Sequence, residues 1–203
     1  MYEFIMKGGP LMWPILLCSV WVIAVIIDRA RAVYLAGKYI LDPLKSASEK
    51  LTNGAPQEAL SEAGRIKDPL SEIIETALNG PAGSLAREEK ERRISRAGTI
   101  FLRRMEERVR SLSIVASITP ILGLLGTVTG MIKAFITIQE LHGQVDVALL
   151  AGGIWEALIT TATGLAVAIP AQIAYHYFEG RVDDMSEEIS DIAHNIIEYS
   201  ETV

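Results

Sequence analysis

The sequence predicts an all-α membrane protein with three transmembrane helices, two of them extended into a cytoplasmic helical bundle. Three observations carry this reading. Half of the 203 residues are hydrophobic, mean hydropathy is positive, and the apolar residues are bunched into a few blocks separated by charged sequence. Three stretches pass the threshold of about 18 charge-free residues for a spanning helix: residues 8–27, residues 111–132 running on past Lys133 to 139, and residues 157–178 reaching back through Glu156 to 147. No strand alternation of useful length appears, whereas helical periodicity is pronounced in the charged regions.

Residues 1–9 are expected to be a short interfacial segment, with no extended periplasmic stretch before the first span. Residues 10–35 form the first transmembrane helix. A cleaved leader is the competing reading. Trp13, Pro14 and Trp21 inside the apolar block, the lack of a small-residue cleavage site, and the stop-transfer flank of Asp28, Arg29 and Arg31 favour a retained helix. Cys18 reads as a small buried hydrophobe, and a lone cysteine excludes a disulfide framework or a thiolate metal cluster.

Residues 36–110 are expected to be cytoplasmic and helical. Asn53, Gly54 and Pro56 mark a turn before one short helix. Asp68 and Pro69 supply an N-cap and a first-turn proline for another, ending near Asn79, Gly80 and Pro81. From residue 87 to 112, Ile94, Phe101, Met105, Val109 and Leu112 recur at helical spacing, and the pattern runs straight into the second span. One helix should therefore cross the membrane surface. The arginines here are interleaved with Glu88, Glu89, Glu91, Glu106 and Glu107, which reads as a solvated or helix-pairing face and not as a nucleic-acid patch.

Residues 111–139 form the second span, 140–147 a periplasmic turn, 148–178 the third span, and 179–203 an acidic helical tail. Of the 19 Lys and Arg, 16 lie between Arg29 and Arg110, and the turn has none. The positive-inside rule then places the N-terminus in the periplasm and the C-terminus in the cytoplasm.

Glu156 is the only formal charge between residues 147 and 178. A carboxylate in hydrocarbon costs several kcal/mol, so such groups face a bundle interior or a water-filled path and are put to use. Glu156, Thr160 and Thr163 share a helical face, with Gly152 and Gly164 close to the same line. On the second span, Gly123, Gly126, Thr127 and Gly130 form a small, slightly polar stripe that favours close packing and, facing Thr160 and Thr163, would make a narrow polar seam. Lys133 lies at a depth similar to that of Glu156 when each residue rises about 1.5 Å. It either pairs with Glu156 or extends to the outer headgroups.

The run TPILGLLGTVTGMIKAF at 119–135, followed by WEALITTATGLAVAIPA at 155–171, resembles the signature of the MotA/TolQ/ExbB proton-channel family. The run GGPLMWPILLCS at 8–19, with Asp28 and Arg29 closing the helix, is similar to the start of the ExbB branch. The resemblance covers nearly the whole chain. It implies a three-span subunit of the bacterial inner membrane, assembled as a ring, a pentamer in ExbB-like proteins. The ring would surround two copies of an ExbD-like single-span partner and energise a TonB-like protein from the proton motive force. By motif position, the resemblance implies an ion pathway through Thr127, Glu156 and Thr161, with Thr160 and Thr163 as candidate polar lining from the helical wheel.

A TolQ-like subunit for envelope maintenance stays open, as does a structural scaffold with a static Lys133–Glu156 pair. Too few spans and no inverted repeat argue against a substrate carrier. No nucleophile–base pair, phosphate loop or metal-ligand spacing is present, so neither an enzyme nor a cofactor is expected.

Overall fold

The structure, a computed structural model, describes residues 8–79, 87–140 and 147–202. All regular structure among them is helical. Helix α1 spans Met12–Ala36 and passes through a π-helical turn, Gly37–Leu41, into α2, Asp42–Thr52. Two short helices follow, α3 at Pro56–Ala63 and α4 at Ser71–Asn79. The long helices α5, Arg87–Glu140, and α6, Val147–Thr202, complete the chain.

Three helical stretches are long and apolar enough to cross a membrane, lying within Met12–Thr52, Glu88–Glu140 and Ala151–Tyr199. The uninterrupted α5 is explained by its sequence. Ile94, Phe101, Val109 and Leu112 of the stripe are buried and Met105 is half-buried, and Pro120 is the helix's only internal proline. Cys18 is half-buried, a departure from the fully buried expectation. Residues 1–7, 80–86 and 141–146, which include most of the expected N-terminal segment, Gly80, Pro81 and most of the expected periplasmic turn, lie outside the described residues.

The chain divides into two compact units. The first takes its described residues from 1–27 and 110–176. Met12, Ile15, Val22 and Val25 are buried on α1, Leu112 and Ala134 on α5, and Ala157, Val167 and Ala171 on α6. Small residues set the α5–α6 spacing. A Cβ at Gly123 would stand 3.0 Å from the Thr161 Cα, one at Gly130 2.9 Å from the Ala157 Cβ, and one at Gly164 2.7 Å from the Thr119 carbonyl oxygen. The backbones approach this closely because no side chain separates them. Gly152, expected near this line, meets nothing within 4 Å, and its neighbour Gly153 packs instead, against Ala134. Leu17, Ile121, Leu124, Phe135 and Ile173 point outward as an apolar exterior.

The second unit takes its described residues from 28–109 and 177–203. Leu44, Leu51, Leu70, Ile73, Ile74, Phe101 and Ile196 form its core. Helix α2 ends in a Schellman arrangement, with Ala55 N–H donating to the Lys50 carbonyl at 2.9 Å and Gly54 N–H to that of Leu51 at 3.1 Å. Gly54 supplies the required positive φ of 78°. The Asp68 and Pro69 signal marks a turn before the helix, which starts two residues later than an N-cap at Asp68 would place it. Asp68 Oδ1 accepts from Leu70 N–H at 3.2 Å, its carbonyl accepts from Ser71 N–H at 3.0 Å, and the helix starts at Ser71.

Near the end of α1, the buried Arg29 donates to the Arg104 and Met105 carbonyls of α5 at 3.5 and 3.4 Å. Asp28 accepts from Arg29 at 2.7 Å and from Arg108 at 2.9 Å. The predicted stop-transfer flank is thus also a clamp between two helices.

Candidate functional site

The polar residues of the first unit gather where α5 and α6 face each other near the start of α1. Lys133 Nζ donates to Glu156 Oε1 at 2.6 Å. The Glu156 side chain is 25 % exposed and that of Lys133 54 %, so the carboxyl is the sheltered partner and the ammonium the accessible one. Gly9, at φ 70°, lies against the carboxyl; a Cβ there would stand 3.0 Å from Glu156 Cδ.

Thr160, one turn beyond Glu156, is fully buried. Its hydroxyl donates to the carbonyls of Gly8 and Glu156, each at 2.8 Å. Its side chain fills the space above Gly126, whose Cβ would stand 2.7 Å from that of Thr160. Thr161 reaches the other way and donates to the Gly123 carbonyl on α5 at 2.7 Å. An interhelical hydroxyl bond of this kind stabilises a membrane bundle by about 0.6–2 kcal/mol.

Thr127 and Thr163 behave differently. Thr127 donates within its own helix to the Leu124 carbonyl at 2.6 Å, and Thr163 to that of Ile159 at 2.7 Å. Both are half-exposed. The expected seam between a Thr127 wall and a Glu156, Thr160 and Thr163 wall is therefore not formed within one chain. Thr160 meets Gly126, the residue beside Thr127, because glycine leaves the room that a buried threonine fills. The structure brings together Glu156, Lys133 and Thr160, whereas Thr127 and Thr163 are half-exposed with their hydroxyls satisfied within their own helices.

Sequence reasoning missed Gly8, Gly9 and Gly153. The Gly-Gly-Pro run was the available signal for the first two, since it marks a turn. For Gly153, spacing of four from Ala157 was the available small-residue signal.

An α-helical membrane protein whose apolar helices hold an acid–ammonium pair beside closely packed glycines is the class that fold and site define. Within that class, residues 65–191 match the MotA/TolQ/ExbB proton channel family, and the chain belongs to it. A biopolymer transport protein ExbB homolog of Methanothermobacter thermautotrophicus is 37 % identical over 144 residues, covering 71 % of this chain and 50 % of that protein. The biopolymer transport protein ExbB of Salmonella typhimurium is 35 % identical over 154 residues, 75 % of this chain and 56 % of that protein. The Tol-Pal system protein TolQ of Haemophilus influenzae is 43 % identical over 84 residues, 41 % of this chain and 36 % of that protein. The chain spans about half the length of the first of these relatives.

Proposed function

We propose that the chain is the channel-forming subunit of a proton-driven motor in the bacterial inner membrane, working on an outer-membrane transport system of the TonB kind. Copies form a ring, a pentamer by resemblance, around a single-span partner that carries its own proton-accepting group. Thr127, Glu156 and Thr161 line the ion path, with Thr160 and Thr163 beside it. The N-terminus is periplasmic and residues 36–110 and 179–203 are cytoplasmic, as the distribution of Lys and Arg supports.

The observation that carries this reading is the sheltered Glu156 carboxyl held in an apolar helix by a more exposed ammonium. An ionisable group so placed in a spanning helix marks an ion path, and an accessible lysine can leave it. Thr127 and Thr163, half-exposed with locally satisfied hydroxyls, are free to face a neighbouring copy. The test is Glu156→Gln in the intact complex. Assembly is expected to persist while proton-driven work stops; full work by Glu156→Gln contradicts the proposal.

The match to the Haemophilus TolQ favours a second reading, in which the same motor serves envelope maintenance. Complementation separates the two: rescue of a strain lacking TolQ, and not of one lacking ExbB, selects the Tol branch.

A further inference from the structure

Two groups meet the Glu156 carboxyl at Oε1. Lys133 bonds that oxygen at 2.6 Å, and Gly9 lies against it in a left-handed conformation that L side chains rarely adopt. The missing Cβ of Gly9 leaves the space that the carboxyl occupies. Thr160 fastens this turn to the third span, because its hydroxyl reaches the Gly8 carbonyl while also bonding the Glu156 carbonyl. On its other flank, Met12 N–H donates to the Gly9 carbonyl at 3.2 Å and ties the turn to the start of α1. A glutamate has three side-chain torsions; packed against this turn, it has one seat.

We propose that the turn at Gly8 and Gly9, fastened by Thr160, is a positioning device that seats the Glu156 carboxyl against Lys133. This rests on the reading of Glu156 as an ion-path group. Gly9 and Thr160 act through Glu156, which makes them positioning residues. The nearest atoms to a new Cβ at Gly9 are the far end of the Glu156 side chain, not backbone, so Gly9→Ala moves the carboxyl and leaves the packed helices in place.

The test is zero-length cross-linking in the assembled complex with a membrane-permeant carbodiimide. The reagent activates the Glu156 carboxyl, the Lys133 amine displaces the urea, and mass spectrometry quantifies the Lys133–Glu156 amide. The parent is expected to cross-link. Gly9→Ala and Thr160→Val are expected to give about tenfold less product, the factor associated with losing one charge-assisted hydrogen bond. Thr160→Ser, which keeps the hydroxyl, should retain the parental yield. So should Gly54→Ala, which carries a similar backbone burden at φ 78° with no neighbour within 4 Å. Parental yield in both Gly9→Ala and Thr160→Val overturns the inference, as does a parent that does not cross-link.

Proton flux in the same samples separates this inference from the reading beneath it. Lost cross-linking with parental flux upholds the positioning device and removes Glu156 from the ion path. Parental cross-linking with lost flux overturns the device and leaves Glu156 in the path.

Discussion

Removing one member of a fully buried ion pair costs about 3–5 kcal/mol because the other charge is stranded. The Lys133 ammonium is 54 % exposed, so its stranding is screened and the cost falls to about 1 kcal/mol or less. Glu156→Gln should therefore lower the thermal midpoint in detergent by only a few degrees, and Lys133→Met, which strands the more sheltered carboxyl, by more. A static scaffold requires the opposite, two severe and similar losses, so differential scanning of the two variants decides between the readings. Neighbouring glycines give a sharper contrast in stability. A methyl at Gly164 would meet the backbone oxygen of Thr119, which cannot swing aside, whereas one at Gly152 meets nothing. Gly164→Ala should destabilise by about 1–3 kcal/mol and Gly152→Ala by nearly nothing, as read from unfolding in detergent.

Connections between helices carry their own expectations. Arg29 is a buried side chain bonded to two carbonyls of α5, with its charge balanced by Asp28. Arg29→Met keeps much of the apolar stem and removes the donors, leaving Asp28 with Arg108 alone; a loss of about 1–3 kcal/mol in unfolding free energy is expected. Between α2 and α3, the Lys50 ammonium bonded to Glu62 at 3.1 Å holds that carboxyl below its ordinary value, helped by Arg65 and opposed by partial desolvation. A lowered folded-state value means the linkage stabilises above the unfolded carboxyl value of about 4.3 and is lost as pH falls through the folded one. The stability difference between the parent and Glu62→Gln should therefore be full at neutral pH and be lost as pH falls through the lowered folded-state value. A difference that grows on acidification contradicts the assignment.

At the scale of the whole chain, what was legible in the sequence tracks how local the signal is. Charge-free windows identify the three apolar helices because a single ionised side chain is costly in hydrocarbon and easily noticed. The crossing of α5 from charged to apolar sequence was legible because the stripe from Ile94 to Leu112 never breaks its period. Side-chain partnership was less so. A helical wheel groups Glu156, Thr160 and Thr163, yet it cannot say that a glycine opposite Thr160 admits it to the interior while Thr163 bonds its own helix. Motif position alone points to Thr161, and its bond to Gly123 depends on an approach distance that only packed backbones define. The Gly-Gly-Pro run marks a turn, but its contact with Glu156 was out of reach because the two lie far apart in sequence.

Proton flux into vesicles holding the chain with the proposed single-span partner tests the central claim most directly. A pH-sensitive dye inside the vesicles should report inward proton flow for the parent complex, and an intact Glu156→Gln complex should lose at least about a hundredfold of it, the low end for removing a positioned proton-transfer group. An intact Glu156→Gln complex that conducts like the parent contradicts the account.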